Sequence, residues 1–207
     1  MRRLWLSIVV LISLVGCASS KLASEQRSSI KRVSIAEVKM PEKPTILGES
    51  SAFGFLLGGP LGVALSNAGS NLPNFYSMQL KKSDIDIAKI LTSDLTDELR
   101  RQGFDVVAQG QSADAVLHPL VIQYGLTGDP FSSPPVRVPQ MWLRVDLKKP
   151  RTDENVWWNQ GAIHIIPDAM KKLEARRIDD FFQDGELLRR EVKKASQLAT
   201  REALSKL

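Results

Sequence analysis

Few residues of this 207-residue chain have side chains suited to covalent or metal chemistry. The single cysteine is Cys17, and the two histidines are His118 and His164. A thiolate is a strong nucleophile that can take up an alkyl or acyl group. Metal sites need several Cys, His, Asp or Glu side chains at short spacings, and the sequence has no such pattern, no nucleophile elbow, no phosphate loop and no dinucleotide fingerprint. It therefore predicts a protein that is not an enzyme and has no cofactor or metal, with both histidines in structural roles.

The segment before Cys17 has the layout of a signal peptide. Arg2 and Arg3 precede a largely apolar stretch, residues 4–15. A helix of this length rises roughly 18 Å, well short of the roughly 30 Å hydrocarbon core of a bilayer. Residues 1–16 are therefore expected to be a cleaved signal peptide and not a membrane span.

Leu14, Gly16 and Cys17 resemble the lipobox of bacterial lipoproteins, and the resemblance covers residues 1–20. It implies that the Cys17 sulfur carries a diacylglycerol, that the chain is cut before Cys17, and that the new amino terminus is acylated, for example with palmitate. Two or three acyl chains anchor a protein firmly, whereas one binds only marginally. Ala18, in place of an aspartate, implies sorting to the outer membrane by the enterobacterial rule. An ordinary secretory signal with a chance cysteine is the alternative.

The chain after the signal peptide is expected to form a tether and one domain. Residues 17–30 are rich in Ser, Ala and charge and predict a lipidated terminus and flexible tether. Residues 31–207 predict a single α/β domain. The formal charge is +5, and removing Arg2 and Arg3 leaves +3, which is too low to indicate nucleic-acid binding. With Cys17 lipidated, no disulfide is available.

Hydrophobic periodicity predicts two long helices, residues 83–102 and 186–207, and a charged helical segment, residues 169–182. Strands are predicted over residues 31–39, 104–108, 113–124, 138–148 and 155–166, the last two as a hairpin. This order predicts an α+β fold: a two-layer sandwich whose mixed, mostly antiparallel sheet carries the two long helices on one face.

The glycine-rich apolar insert, residues 47–75, lies in a stretch with no charge between Glu49 and Lys81. Pro60 argues against a spanning helix. One interpretation is extra core beneath the domain. A second is contact with a membrane or partner, and a third is self-association through close backbone approach. The candidate contact residues are Phe53, Phe55, Leu56, Leu57 and Leu61, and the candidate self-association residues are Gly54, Gly58 and Gly62.

Three further features are candidate interaction sites. The loop of residues 125–139 is rich in Gly and Pro, and long loops are often functional. In the predicted hairpin, Trp157 and Trp158 point to opposite faces, so one of them can lie beside Trp142 and bind a glycan, lipid or partner; cross-strand packing is the simpler explanation. A basic cluster is formed by Lys171, Lys172, Arg176 and Arg177, and we expect it to be a solvated face, with headgroup binding as the alternative.

The body of the chain resembles the small periplasmic domain shared by the amino-terminal part of TolB, CsgG and LptE. The resemblance lies in residues 87–92, 103–107 and 113–117: a helix, a strand that begins with Gly and Phe, and a strand that begins with Ala and Asp. It implies the sandwich fold but no catalytic residues.

Together these features predict a non-enzymatic lipoprotein of the outer membrane, anchored through Cys17 and facing the periplasm. Its expected role is that of an assembly accessory or scaffold that binds a periplasmic or membrane partner, with no nucleic acid involved. Two alternatives are a component that transports lipid or lipopolysaccharide, and a secretion lipoprotein that assembles with its own copies into a ring or pore.

Replacing Cys17 with serine tests the anchor. Serine has no thiol to accept the diacylglycerol, so C17S is expected to lose fatty-acid labelling and to leave the outer-membrane fraction. Metabolic labelling with palmitate and density fractionation measure both effects, with S19A as the matched control. Full labelling of C17S would contradict the lipobox assignment.

Overall fold

Helices and strands are interleaved along the chain in the computed structural model, which describes residues 21–46, 72–128, 136–163 and 171–207. The helices are α1 (Ser24–Ser29), α2 (Leu72–Lys82), α3 (Ile87–Arg101), α4 (Ile178–Gln183) and α5 (Gly185–Leu204). The strands are β1 (Arg32–Ile35), β2 (Thr45–Ile46), β3 (Asp105–Val107), β4 (Ala115–Thr127), β5 (Val138–Lys148) and β6 (Asn155–Ala162). Among these residues, no helix combines the length and apolarity needed to cross a bilayer.

The strands form one sheet in the order β3-β1-β4-β5-β6. The short β2 is not part of this order and pairs with the end of β4, at Gly125 and Leu126. Strand β1 pairs in parallel with both β3 and β4, and the short β2 pairs in parallel with β4. The long pairings of β5 with β4 and with β6 are antiparallel. At Gly125, where φ is +143°, the β2 backbone comes so close that a side chain would collide with Thr45.

Helices α3 and α5 lie side by side and cover one face of this sheet. Helix α5 packs on β5 and β6, and α3 packs on α5 and β3. The α3 residues Leu91, Leu95 and Leu99 are fully buried in one core together with the inward side chains of β4 and β5. The predicted α+β sandwich with two long helices on one face is therefore confirmed.

Helix α5 approaches β6 closely at Gly161. A methyl group at this position would collide with the Ala199 carbonyl oxygen and would lie 2.6 Å from the Ala203 nitrogen. Next to it, the Asn159 side-chain amide donates hydrogen bonds to the Glu202 and Ala203 carbonyls, at 3.2 and 3.0 Å. The missing side chain of Gly161 and the two hydrogen bonds from Asn159 thus hold the carboxyl end of α5 against β6.

The start of α3 differs from prediction for an identifiable reason. The first long helix was expected from residue 83, but Asp84 adopts a left-handed φ of 51°, and the Asp86 carboxylate caps α3 by accepting from the Lys89 N–H at 3.0 Å. Residues 72–82 instead form α2, which the sequence did not predict and whose Tyr76 and Leu80 are buried. Within the predicted helical segment 169–182, residues 171–177 are not helical, and helix α4 begins only at Ile178.

The predicted tether is folded wherever it is described. Leu22 is buried, and its N–H donates to the Lys206 carbonyl at 2.9 Å. From α1, the Arg27 guanidinium stacks over the Phe104 ring at 3.7 Å and donates to the Gln102 carbonyl at 2.6 Å. The chain is therefore part of the domain from Leu22 onward, and not only from residue 31.

Buried carboxylates hold the helical layer together. On α3, Asp94 accepts from the Ser196 hydroxyl of α5 at 2.6 Å. On α5, the fully buried Glu191 accepts from the Glu174 N–H at 2.9 Å, from Lys194 at 2.7 Å and from Arg190 at 3.1 Å. Burial acts to raise the pKa of Glu191, but these hydrogen bonds outweigh burial and hold its pKa below the usual value.

Glu191 is expected to make stability depend on acidity. Because its pKa is lower in the folded chain than in the unfolded chain, protonation favours unfolding, so this stabilisation is present at neutral pH and is lost as pH falls below about 4.5. E191Q is expected to lower the free energy of unfolding at pH 7 by about 1–3 kcal/mol. It is also expected to make the free energy of unfolding depend less steeply on pH in the acid range. Urea denaturation at several pH values measures both.

The matched control for this experiment is E186Q, in the first turn of the same helix, where the side chain is 85 % exposed. Its effect is expected to stay within about 0.5 kcal/mol. An acid dependence of the same steepness in E191Q and the unaltered chain would contradict the assigned role of Glu191.

Candidate functional site

The face of the sheet opposite α3 and α5 is the candidate site, and we call it the open face. No helix of the described residues packs on it. Leu120 and Ile122 of β4 are each 38 % exposed there, while the intervening Val121 is buried in the core. The open face is formed by His118, Leu120, Ile122 and Gln123 on β4, by Trp142, Arg144 and Asp146 on β5, and by Trp158 and Gln160 on β6.

An irregularity in the β4–β5 pairing shapes this surface. Val121 pairs with Leu143 and Gln123 pairs with Trp142, so Ile122 is the extra residue of a bulge. The bulge places Ile122 outward next to Leu120 and so creates an exposed apolar patch. Bulges often re-aim side chains beside functional sites.

Beside the patch, Arg144 is held between an acid and an aromatic ring. Its guanidinium carbon lies 4.9 Å from the centroid of the Trp158 ring. Its Nε and Nη2 atoms both donate to one carboxylate oxygen of Asp146, at 3.1 and 3.0 Å. These contacts fix the planar side chain in place.

The second tryptophan of the open face is also oriented by a hydrogen bond. The Trp142 indole N–H donates to the Gln160 side-chain oxygen at 3.0 Å. Trp142, Arg144 and Trp158 therefore lie together on the same face of strands β5 and β6. Trp and Arg residues of this kind dominate the binding energy of many protein interfaces.

The predicted opposition of the paired tryptophans is confirmed. Trp157 is 5 % exposed and belongs to the core, whereas Trp158 is half-buried on the open face beside Arg144. Sequence reasoning did not single out Leu120, Ile122 or Arg144. Alternation placed Arg144 on the outer side of β5, but its contact with Trp158 depends on the hairpin register.

Most of the predicted site residues lie outside the described part of the chain. These are the anchor residue Cys17, the contact residues Phe53, Phe55, Leu56, Leu57 and Leu61, and the glycines Gly54, Gly58 and Gly62. His164, for which a structural role is predicted, also lies outside the described residues. Their roles stay predictions. The candidate loop 125–139 is shorter than predicted, because β4 continues to Thr127 and β5 begins at Val138.

His118 lies on the open face opposite Asp146. Burial, together with the charge of Lys148, lowers the pKa of its imidazole, so it is neutral at pH 7. Within the described residues, no group of His, Cys, Asp or Glu side chains is arranged to hold a metal ion. The structural role of His118 stays a prediction.

Two residues of the predicted basic cluster, Arg176 and Arg177, are ion-paired. Glu174 pairs with both Arg176 and Arg190, and Arg177 pairs with Asp179 at 3.6 Å. The paired side chains are about half exposed, so they form the expected solvated face rather than an array of uncompensated cations.

A cleft of about 800 Å³ lies near one end of the sheet. The turns before β4 and between β5 and β6 line it, together with α1 residues Gln26 and Ser29. Its Asp114 carboxylate accepts from the backbone N–H groups of Arg32 and Lys31, which lowers the pKa of Asp114. Asp114 therefore serves to join β1 to β4.

Comparison with known proteins finds no matching family model and no matching curated protein. Solved structures with a similar chain path include the PelC dodecamer from Paraburkholderia phytofirmans, with 14 % identity, coverage of 92 % of this chain and 95 % of that chain, and a TM-score of 0.41. A DUF330 protein from Xanthomonas campestris has 10 % identity, coverage of 89 % and 87 %, and a TM-score of 0.43.

A minor lipoprotein from Acinetobacter baumannii has 10 % identity, coverage of 84 % and 90 %, and a TM-score of 0.36. Bacterial lipoproteins are therefore among the structures that this chain resembles in its path. The predicted resemblance to the TolB, CsgG and LptE domain is not shown by these comparisons.

Proposed function

We propose that this protein is an outer-membrane lipoprotein that faces the periplasm and acts as a non-enzymatic accessory or scaffold of the cell envelope, binding a protein partner. The observation that carries the binding role is the open face, where exposed Leu120 and Ile122 adjoin a fixed Arg144. The lipobox at residues 14–17 supports the compartment.

The folded amino-terminal segment supports a body held close to the membrane. Because Leu22 is bound to the Lys206 carbonyl, only residues 17–21 separate it from the proposed lipid. An extended chain spans at most about 3.5 Å per residue, so this link reaches roughly 17 Å. The end of the domain that carries the carboxyl terminus of α5 would then face the lipid headgroups.

The chemistry of the open face favours a protein partner. Leu120 and Ile122 offer apolar area that gains free energy when it is removed from water. Arg144 and the two flanking tryptophans offer preorganised side chains of the types enriched at interface centres. A partner with an apolar surface and hydrogen-bond acceptors for the remaining guanidinium N–H groups of Arg144 fits this face.

The double variant L120S/I122S tests this role in the full-length lipidated chain. Loss of two apolar contacts of about 1 kcal/mol each is expected to lower partner recovery roughly tenfold or more. Crosslinking in intact envelopes followed by affinity purification and mass spectrometry measures the recovery.

The matched control is L72S/M78S, which removes two apolar side chains that are 37 % and 61 % exposed. They belong to α2, which contacts α5 and β2. It is expected to keep normal recovery. Equal recovery in both double variants, or equal loss, would count against the open face as the binding surface.

A second candidate function is lipid transport or assembly into a pore, and the uncharged insert is the observation that favours it. Residues 52–65 have no charged side chain and include the apolar residues expected to contact a bilayer. Deletion of residues 52–65 distinguishes the two functions in the same crosslinking experiment. Loss of every partner in this deletion alone would place binding in the insert.

A further inference from the structure

The two edges of the sheet differ sharply in length and charge. At one edge, β3 has only three residues, and Asp105 within it is ion-paired with Arg32 at 3.6 Å. At the other edge, β6 has eight residues. No strand of the described residues lies outside β6.

Strand β6 lacks the features that normally prevent an edge from pairing. Natural edge strands are usually short, or carry lysine, proline or a bulge. From Asn155 to Ala162, β6 has no charged residue and no proline. Its pairing with β5 is irregular only at the start, so residues 157–162 follow one regular register. Alternate residues of such an edge direct their N–H and C=O groups outward.

Contacts with α5 also hold the edge strand β6 in the extended conformation that strand pairing requires. Asn159 is tied to the last turn of α5 by two hydrogen bonds, and Gly161 lies against the α5 backbone. A strand that is ordered before binding loses little further conformational entropy when it pairs. Strand β6 is therefore preorganised for addition of a strand.

We propose that β6 pairs antiparallel with β6 of a second copy of this chain, forming one continuous sheet across two protomers. An antiparallel pair of identical strands opposes each residue to a symmetry-related one, and like charges there are destabilising. The absence of charge in β6 removes this penalty. Pairing of β6 with the β3 edge of another copy would involve only the three residues of β3.

This pairing would enlarge the open face. A twofold axis perpendicular to the sheet keeps both helical layers on one side and both open faces on the other. Trp158 and Gln160 lie on β6 itself, so the two Trp–Arg surfaces would meet at the axis. The strand pairing does not rest on the proposed lipid anchor.

Cysteine crosslinking of the full-length chain in intact envelopes tests the pairing. Single cysteines are introduced as Q160C and A162C in β6, and as Q123C in the central strand β4, on the same face. A thiol-specific crosslinker that spans about 18 Å, the separation of the two 162 positions when residues 157–162 pair, is expected to give dimers at positions 160 and 162 and none at position 123. Mass spectrometry of the adduct establishes whether both chains are this protein.

The parent chain, which has only Cys17, is the background control. A dimer formed by the parent would report an unmodified thiol and so the failure of the anchor, separately from the pairing. In the A162C chain, adding Q160K is expected to lower the dimer yield roughly tenfold through like-charge repulsion across the axis, while adding Q123K leaves it unchanged. Crosslinking at 160 and 162 no stronger than at 123, or an adduct with a different protein, would overturn the proposal.

Discussion

The one-sided packing of α3 and α5 on the sheet determines the rest of the structure. The helix pair buries the inward side chains of β4 and β5, and it is held by buried polar contacts such as Asp94 with Ser196. Because α5 covers β5 and β6 only from this side, the opposite surface keeps its apolar and aromatic residues accessible. Among the described residues no second layer covers this face, and an exposed apolar patch commonly marks an interaction site.

The amino terminus relates this architecture to the membrane. Residues from Leu22 onward are attached to the end of α5 and to α3, so a lipid on Cys17 would hold the domain near the headgroups by a short link. A fixed orientation follows from such a link more readily than from a long flexible tether. Under the proposed function, the open face is then presented to periplasmic partners.

Local sequence patterns predicted most of the elements but not their long-range arrangement. Alternation predicted a strand over residues 138–148, as observed for β5. The four-residue spacing of Leu91, Leu95 and Leu99 indicates one apolar helix face, and these residues are buried in α3. The parallel pairing of β1 with β3 and β4 joins distant segments, which no local pattern specifies. The exposed patch depends on a bulge in a continuous apolar run, where the sequence does not determine whether Ile122 points inward or outward.

The most direct measurement of the central claim, that the open face is covered by a partner in the envelope, is thiol labelling of I122C in the lipidated chain. The rate at which the introduced thiol is labelled is measured in intact envelopes and in purified protein in detergent. The variant M78C on α2 is treated in the same way and serves as the reference. Covering of the open face predicts that I122C is protected only in envelopes, while M78C labels equally in both. Equal labelling of I122C in envelopes and in detergent would contradict a covered open face.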